Sequence, residues 1–232
     1  MEKQKYTAIV LAAGSGKRMN SKVHKQYLII QDRPVLYYSL KAFEDSAVDE
    51  IVLVVGKGEE KFCRKEIVDK YGISKVKAIV EGGKERYHSV FEGLKQTSDA
   101  DYVLIHDGAR PFVNQDIIRR CMQEVQKYQA CVVGMPVKDT IKIADEEGYA
   151  KQTPDRKNVW MIQTPQTFSY ALIYEAYEEM LKIEDTAITD DAMVLERIKG
   201  KKSKLIEGSY RNIKITTPED LLIANVYLQH PE

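Results

Sequence analysis

Short apolar runs alternate with amphipathic segments through the first half of the chain. The runs are rich in β-branched residues, as expected of strands that are buried on both faces of a parallel sheet. They lie at residues 7–11, 50–55, 76–81, 102–106 and 131–135. The segments between them carry apolar residues at helical spacing. This alternation predicts an α/β fold with a mostly parallel sheet that is covered by helices on both faces.

The predicted helices of this half follow the helical period. They are residues 34–45, about 59–71, a helix with Tyr87, Val90, Phe91 and Leu94 on one face, and a helix with Ile117, Ile118, Cys121, Met122 and Val125 inward. Right-handed crossovers between parallel strands place the loops after Leu11, Glu81 and His106 along the carboxyl edge of the sheet. Ligands of open α/β sheets bind along that edge.

The pattern changes between residues 137 and 160, where charged residues are frequent and no helical period is present. Residues 140–143 alternate polar and apolar side chains as a strand does. We therefore expect a protruding β-arm at about 137–160, because an excursion that contains strands generally packs on something. A floppy surface insertion is the alternative interpretation.

The remaining residues return to the core pattern. The predicted elements are a strand at about 160–167, a helix through Ile173 and Ala176, a helix near 190–198, a strand at 212–216 and a final helix. The final helix has a strong start, with Thr217 as N-cap and Pro218 in the first turn. Because no internal repeat, low-complexity tract or linker is found, residues 1–232 are expected to form a single domain with an arm.

Composition narrows the class of protein. Lysine plus arginine and aspartate plus glutamate balance at 35 each, so no general positive field for nucleic acid or a membrane is present. Cys63, Cys121 and Cys131 have no Cys-x-x-Cys spacing, which indicates neither a disulfide framework nor a zinc site. The N-terminal apolar run is too short for a signal peptide, and no stretch reaches membrane-spanning length. A reduced, cytoplasmic setting is expected.

Residues 11–28 are the strongest candidate for chemistry. The first strand ends in five small residues, Ala12, Ala13, Gly14, Ser15 and Gly16. Because they have almost no side-chain bulk, a ligand can approach the backbone N–H groups, which suits phosphate oxygens. Four cations follow within nine residues, namely Lys17, Arg18, Lys22 and Lys25. A polyanionic ligand is therefore expected.

Other glycine-rich loops fit this stretch less well. A dinucleotide fingerprint needs a third small residue at the position of Met19. An ATPase-type loop needs serine or threonine at the position of Arg18 to hold magnesium. A tight turn without a ligand is the remaining alternative, because Gly-x-Gly after a strand is a weak signal alone.

Two further strand ends carry candidate residues. Asp107 follows the strand at 102–106, and a carboxylate there suits a magnesium ion that faces triphosphate oxygens; a loop or helix cap is the alternative. Gly82 and Gly83 precede a helix, where their backbone can meet the edge of a base. His106 lies inside the strand pattern and is interpreted as a core histidine without a chemical role.

The run Ala-Ala-Gly-Ser-Gly-Lys-Arg-Met at 12–19, followed by Lys-Gln-Tyr-Leu at 25–28, resembles the signature of sugar-phosphate nucleotidyltransferases. Within that superfamily it is most similar to the 2-C-methyl-D-erythritol 4-phosphate cytidylyltransferase family, which implies a Rossmann-like fold. Two residues depart from the family pattern. His24 stands where proline usually precedes the lysine, and we expect it to change the loop conformation. Lys84 stands where an acidic residue is frequent, which leaves a base contact at that position open.

The resemblance implies a role for each candidate residue. Arg18, Lys25, Arg156 and Lys214 are the implied catalytic residues. The implied nucleotide-binding residues are Ala12, Ala13, Gly14, Ser15, Gly16, Gly83, Ser89 and Asp107, with Asp107 also holding Mg²⁺. The implied acceptor-binding residues are Thr140, Arg156, Lys214 and Arg110, while residues 164–166 match as a structural segment. Without the resemblance, Arg156 and Lys214 fit solvated charges and Ser89 fits a helix-surface serine.

The implied activity is transfer of the cytidylyl group from CTP to a sugar-alcohol phosphate, 2-C-methyl-D-erythritol 4-phosphate, with release of pyrophosphate in non-mevalonate isoprenoid precursor biosynthesis. No covalent enzyme intermediate is needed, because the acceptor phosphate is already an anionic nucleophile. The family also implies a homodimer in which the arm embraces the second subunit. A ribitol 5-phosphate cytidylyltransferase and a non-catalytic nucleotide-binding module are the alternatives. The acceptor-side cations argue against the module, which needs no acceptor clamp.

Overall fold

A seven-stranded sheet forms the centre of the computed structural model, which describes residues 3–14, 16, 19, 23–183 and 187–230. Its strands are β1 (Tyr6–Ala12), β4 (Glu50–Val55), β5 (Val76–Glu81), β6 (Tyr102–Asp107), β7 (Ala130–Pro136), β10 (Trp160–Ser169) and β11 (Lys204–Glu207). Two small two-stranded sheets are formed by β2 (Ile29–Ile30) with β3 (Arg33–Pro34), and by β8 (Ile143–Ala144) with β9 (Ala150–Gln152).

The strand order β11-β7-β10-β6-β1-β4-β5 confirms a mostly parallel sheet. Only β10 runs against its neighbours in the described sheet, being antiparallel to both β6 and β7. The chain proceeds from β1 outward through β4 to β5 and then returns to add β6 on the other side of β1. The connections after β1 and β6 therefore leave in opposite directions at a switch point, where Leu11 pairs with Asp107.

Helices pack on both faces of this sheet, as predicted. They are α1 (Val35–Glu44), α2 (Glu60–Cys63), α3 (Arg86–Leu94), α4 (Gln115–Tyr128), α5 (Tyr170–Ile183), α6 (Asp191–Lys199) and α7 (Pro218–Gln229). Because alternate residues of a strand point to opposite faces, Ala8 and Val10 of β1 pack in the cluster of α1 and α4, while Ile9 packs in that of α3, α5 and α6. None of the described helices has the length and apolar content needed to cross a membrane.

The starts of three helices use the residue types that favour N-termini. Asn114 and Asp190 cap α4 and α6 with side-chain oxygens that accept backbone N–H hydrogen bonds. At α7, Thr217 and Asp220 form a reciprocal capping box, which confirms the predicted helix start.

The strand predicted at 212–216 is wrong. This segment belongs to no strand of the described sheets, and one of its backbone hydrogen bonds runs from Ile215 N to the carbonyl oxygen of Ala109. Its apolar side chains, Ile213 and Ile215, instead pack in a third cluster with α1 and α7. The strand of this region is β11, which lies earlier in the chain and pairs with β7.

The helix predicted at about 59–71 is present but not regular. After α2 the chain continues as a π-helix, Arg64–Asp69. A π turn takes one residue more than an α turn, which shifts the buried face around the helix axis. Cys63, Ile67 and Val68 form the buried face of this segment.

The arm is present and is less regular than predicted. β8 and β9 pair antiparallel as a small hairpin, but of the strand predicted at 140–143 only Ile143 takes part. Ile143 and Tyr149 are exposed by 45% and 70% of their surface. A two-stranded hairpin is only marginally stable without a packing partner. We therefore expect the exposed apolar side chains of the arm to contact another surface.

Candidate active site

The carboxyl ends of β1 and β6 open into a pocket of about 480 Å³. The predicted residues that line it are Ala12, Ala13, Gly14, Lys25, Gly83, Ser89, Asp107 and Lys214. A neighbouring cavity of about 320 Å³ shares Asp107 and Lys214 and extends to Arg110. Residues far apart in sequence meet here because parallel strands end at the same edge of the sheet.

The glycine-rich loop forms one wall of this pocket. A Cβ atom at Gly14 would meet no heavy atom within 4 Å, so the backbone there is open to a ligand. Gly16 has a φ of +63°, in the left-handed region that glycine adopts without strain, and a Cβ there would lie 3.1 Å from Cγ of Lys25. Met19, which excludes the dinucleotide fingerprint, is buried. Ser15, Lys17, Arg18 and Lys22 lie outside the described residues.

Lys25 reaches the pocket from a short 3₁₀ turn, Lys25–Tyr27. Its Nζ donates to the carbonyl oxygen of Ile215 at 2.9 Å. Gln26 is buried, and its side-chain amide donates to the carbonyl oxygen of Ala12, which ties the turn to the glycine-rich loop. The lysine ammonium is thereby held beside the predicted phosphate-binding backbone.

Gly82 and Gly83 form a second wall. A Cβ on Gly82 would lie 2.5 Å from Cβ of Ala13, and one on Gly83 would lie 2.3 Å from a side-chain atom of α3, so larger residues do not fit. Ser89 is buried rather than on the helix surface; its Oγ accepts from Gly83 N and donates to the carbonyl oxygen of Glu85, both at 3.2 Å. The hydroxyl group of Ser89 therefore fixes the shape of this wall.

Asp107 is surrounded by three cationic side chains. Lys214 Nζ lies 2.7 Å from Oδ2, Arg86 Nε lies 3.4 Å from Oδ1, and Arg110 Nε lies 3.9 Å from Oδ2. Burial by itself would raise the pKa of Asp107, but the charges of these three cations outweigh burial and hold the pKa well below its usual range. The carboxylate is therefore ionised at neutral pH and balances part of the positive charge of the pocket.

Arg86 lines both cavities but was not predicted. It donates two hydrogen bonds of 2.8 Å to the two oxygens of Asp191, which is fully buried. Asp191 also accepts from Tyr177 OH at 2.5 Å, and its own N–H donates to Oε1 of Gln166 at 3.0 Å. Arg86 thus bridges a buried carboxylate on α6 and the carboxylate of Asp107.

Residues behind the pocket hold the loop after β6. Arg110 donates to the carbonyl oxygen of Asn212 at 2.8 Å. His106 is fully buried, with Nδ1 3.0 Å from Oγ1 of Thr164 and Nε2 3.2 Å from the carbonyl oxygen of Arg110. Burial lowers the pKa of His106 to about 4, so the ring is neutral at neutral pH. His106 is a core histidine as predicted, and Thr164 supports it.

A family model described as 2-C-methyl-D-erythritol 4-phosphate cytidylyltransferase matches residues 6–230. The chain belongs to this family. A protein of that name from Lachnoclostridium phytofermentans is 51% identical over 226 residues, which is 97% of each chain. Another, from Lachnospira eligens, is 54% identical over 225 residues, which covers 96% of this chain and 99% of that one.

Solved structures agree with this assignment. The crystal structure of 4-diphosphocytidyl-2C-methyl-D-erythritol synthase from Anaerococcus prevotii has a TM-score of 0.86 at 38% identity and covers 98% of this chain and 97% of that chain. The 2-C-methyl-D-erythritol 4-phosphate cytidylyltransferase of Thermus thermophilus has a TM-score of 0.77 at 29% identity, covering 95% of this chain and 98% of that chain. The fold is therefore the Rossmann-like nucleotidyltransferase fold, and the chain is an enzyme of the cytidylyltransferase class.

In this cytidylyltransferase, Thr140 and Arg156 do not line the pocket of their own chain. Both lie exposed in the arm, where Arg156 begins a 3₁₀ turn and donates to the carbonyl oxygen of Lys138 at 3.2 Å. Lys214, by contrast, is in the pocket. The two implied acceptor clamps, Arg156 and Lys214, are therefore separated within a single chain.

The two departures from the cytidylyltransferase pattern have different surroundings. Lys84 is exposed and lines the pocket, next to Gly83 in the chain. His24 precedes the 3₁₀ turn, and its Nδ1 lies 2.7 Å from Oε1 of Glu59. Neither Glu59 nor Arg86 was predicted. For Arg86 a signal existed, since it follows the glycine pair by three residues at the same sheet edge.

Proposed function

We propose that this pocket transfers the cytidylyl group of CTP to 2-C-methyl-D-erythritol 4-phosphate, giving 4-diphosphocytidyl-2-C-methyl-D-erythritol and pyrophosphate. The observation that carries the proposal is the meeting of Lys25, Lys214 and Asp107 with a loop of small residues in one pocket at the switch point. Two anionic substrates need such surroundings, because their mutual repulsion must be offset before they react. Membership of the family supports the same reaction.

The nucleotide is assigned to the two glycine-containing walls. Ala12, Ala13 and Gly14 line the pocket, and their lack of side-chain bulk lets phosphate oxygens approach the backbone of the loop. Ser15 and Gly16 continue this loop as predicted contacts. The cytosine base is assigned to the wall that contains Gly83, whose shape Ser89 fixes.

The acceptor phosphate is the nucleophile, and it needs no base because it is already anionic at neutral pH. Its oxygen forms a bond to the α-phosphorus of CTP, and the bond from that phosphorus to the bridging oxygen of pyrophosphate breaks, with the electron pair leaving on pyrophosphate. Lys25 is assigned to the negative charge that grows on the α-phosphate, with Arg18 as its predicted partner. Positioning and charge are then sufficient for the reaction.

Asp107 is the residue proposed to hold Mg²⁺. Among the residues that the structure describes, no three histidine, cysteine, aspartate or glutamate side chains gather at one point, so a cage built by protein ligands is not the type of site. Mg²⁺ at phosphate sites is commonly bound by one or two carboxylates together with substrate phosphates, and one ionised carboxylate in the pocket fits that donor set. When bound, the ion supplies positive charge to the triphosphate. The ion pair between Lys214 and Asp107 must break before Lys214 can bind the acceptor phosphate.

The acceptor phosphate is assigned to Lys214 and Arg110 of one chain, together with Thr140 and Arg156 of the partner subunit. Support comes from the position of the arm, which carries Thr140 and Arg156 outside the pocket of their own chain. The arm also exposes two large apolar side chains of its hairpin. A twofold homodimer, in which each arm covers the partner's pocket, is the simplest closed assembly that brings the four residues together.

A cytoplasmic location belongs to the same proposal. The three cysteines of the chain are buried free thiols, which suits a reducing compartment.

Pyrophosphate release from CTP, measured with each candidate acceptor and with Mg²⁺, tests the proposal. We expect release with 2-C-methyl-D-erythritol 4-phosphate, little release with ribitol 5-phosphate, and loss of release when a chelator removes the divalent cation. Faster release with ribitol 5-phosphate would assign the chain to that activity instead. Binding of CTP without release in the presence of either acceptor would identify a non-catalytic nucleotide-binding module.

A further inference from the structure

Glu59 lies outside the pocket, in the loop between β4 and α2, yet it contacts the turn that carries Lys25. Its Oε2 accepts a hydrogen bond from Tyr27 OH at 2.8 Å and another from Gly56 N at 3.0 Å. Its Oε1 lies 2.7 Å from Nδ1 of His24. One carboxylate thus contacts the residue before Lys25 and the residue two positions after it.

The 3₁₀ turn has little internal support. It is three residues long, and its backbone hydrogen bonds run from Tyr27 N to the carbonyl oxygen of His24 at 2.9 Å and from Leu28 N to that of Lys25 at 3.3 Å. The His24 side chain makes no capping hydrogen bond to the turn. Because short 3₁₀ turns have poor hydrogen-bond geometry, the orientation of this one depends on side-chain contacts with its neighbours.

Tyr27 supplies several of these contacts. Its ring packs edge-on against Phe62 at 5.1 Å between centroids, and its hydroxyl lies 3.0 Å from Sγ of Cys63 as well as 2.8 Å from Glu59. Burial raises the pKa of the Tyr27 hydroxyl far above its usual range, so it remains protonated and donates to Glu59. The ring and the hydroxyl together join the turn to α2 and to Glu59, the residue before it.

The Glu59 side chain is itself held in one direction. Its backbone N–H donates to the carbonyl oxygen of Gly56 at 3.0 Å, which closes a tight turn. A Cβ atom at Gly56 would lie 2.6 Å from Oε2 of Glu59, so glycine is required for the carboxylate to turn back. Glu59 stands at the N-cap position of α2 but makes no capping hydrogen bond there. Its carboxylate is directed to the 3₁₀ turn instead of its own helix.

We propose that Glu59 is a positioning residue for the transfer reaction and orients Lys25 toward the α-phosphate by holding His24 and Tyr27 on either side of it. The inference rests on the proposed role of Lys25. It also includes His24, whose Nδ1 lies 2.7 Å from the carboxylate of Glu59, where a proline side chain has no polar atom. Small displacements of a reacting group are costly, since an error of about 1 Å lowers rates by roughly 100-fold.

A double-mutant cycle between Glu59 and Lys25 tests the inference. Pyrophosphate release is timed for the wild type, Glu59→Ala, Lys25→Ala and the double variant, with enough enzyme to measure the slow proteins. We expect Glu59→Ala to lower kcat by roughly 10- to 100-fold beside an intact Lys25, and by less than about twofold where Lys25 is already alanine. A purely structural role would lower kcat by the same factor in both backgrounds.

Conservative variants separate positioning from folding. Glu59→Gln keeps an acceptor for Tyr27 and Gly56, and it is expected to recover a large part of the rate that Glu59→Ala loses. Tyr27→Phe keeps the packing of the ring and removes the donor, so it replaces Glu59→Ala in the cycle if that protein does not fold. Glu60→Ala, one residue later, is the matched control and is expected to retain the wild-type rate.

Three results would overturn the inference, and they do so in two different ways. Equal losses in both backgrounds, or a Glu59→Ala rate within about twofold of the wild type, would refute the positioning role of Glu59 and leave the role of Lys25 standing. A Lys25→Ala protein with near wild-type turnover would refute the proposed role of Lys25 and the inference together.

Discussion

Lys25 is the single residue whose removal tests the chemistry most directly. We expect Lys25→Ala to lower kcat by more than about 100-fold, because it removes a charge contact made mainly in the transition state. Folding is expected to survive, since the side chain is only partly buried and its hydrogen bond to Ile215 is to one carbonyl oxygen. Steady-state pyrophosphate release and the thermal midpoint are measured on the same sample. Lys41→Ala, on the exposed side of α1, is the control; near-normal turnover of Lys25→Ala would exclude the residue from the mechanism.

The lowered pKa of His106 predicts how the free energy of unfolding changes with pH. Burial lowers its pKa in the folded protein to about 4, below the ordinary value of 6.5 that applies to the unfolded chain. As the pH falls, the unfolded chain therefore binds the proton before the folded protein does. The contribution of the neutral ring to the free energy of unfolding is fully present above pH 6.5 and is lost as the pH falls toward 4. The loss amounts to about 2 kcal/mol at about pH 5.

Urea unfolding of the wild type and of His106→Asn measures this effect. At about pH 7.5 the wild type should be the more stable protein, and at about pH 5 its advantage should be smaller by about 2 kcal/mol. An advantage that does not change with pH would mean that the ring is already accessible to protons in the folded state.

Motif residues were predictable from the sequence, whereas residues that act through distant partners were not. Lys25 follows β1 and Asp107 ends β6, which are parallel neighbours whose ends lie together, and that rule can be applied to a sequence. Lys214 lies outside the strands and was implied by the resemblance alone. The partner of Arg86 is Asp191, which lies 105 positions later. Local periodicity does not encode which buried carboxylate receives a given arginine, so this pair was found only in the structure.

At the level of elements, the Arg86–Asp191 pair joins the first turn of α3 to the first turn of α6. Removing Arg86 leaves the fully buried carboxylate of Asp191 without its counterion. We therefore expect Arg86→Ala to lower the free energy of unfolding by about 3–5 kcal/mol. The double variant Arg86→Ala/Asp191→Ala should be less destabilised than the sum of the single variants, as measured by denaturant unfolding.

The adjacent Asp190 provides a matched control for this experiment. It caps α6 by accepting from Met193 N, and it also accepts from the side chain of Gln166. Asp190→Ala is expected to cost about 1–2 kcal/mol, the usual range for an N-cap. Additive losses for Arg86 and Asp191 would show that the two charges are independently solvated, contrary to the expected coupling.

Elements with a regular period were predicted well, and those defined by a pairing partner were not. The apolar side chains of Ile213 and Ile215 correctly predicted that this segment packs in the core. A strand also needs a neighbouring strand to pair with its backbone, and this segment has none among the described residues. Residues Lys204–Glu207 begin and end with exposed charges, yet they pair with β7 at the edge of the sheet. Charged residues are common on edge strands, which makes such strands resemble loops in a sequence.

For the whole molecule, the central prediction is a homodimer whose site borrows Arg156 from the partner subunit. Lys25→Ala and Arg156→Ala proteins, each inactive alone, should regain activity when they are refolded together. With random pairing, about half of the dimers are mixed and half of the sites in a mixed dimer are intact, so recovery should approach roughly a quarter of the wild-type rate. Pyrophosphate release and native mass are measured on the mixture.

Each variant refolded by itself is the control for this mixture. If heterodimers are confirmed by mass and the rate does not recover, Arg156 belongs to the site of its own subunit or to no site. Recovery well above a quarter would indicate that pairing is not random or that subunits cooperate.

The ion pair between Asp107 and Lys214 also bears on which anions can bind the pocket. Lys214 already has a carboxylate 2.7 Å away, so an incoming anion must compete with a group that the protein supplies. Because Coulomb attraction grows with charge, we expect a ligand with several negative charges to compete better than a small monovalent anion. The ion pair therefore predicts a preference for highly charged ligands over the simple salts of the surroundings.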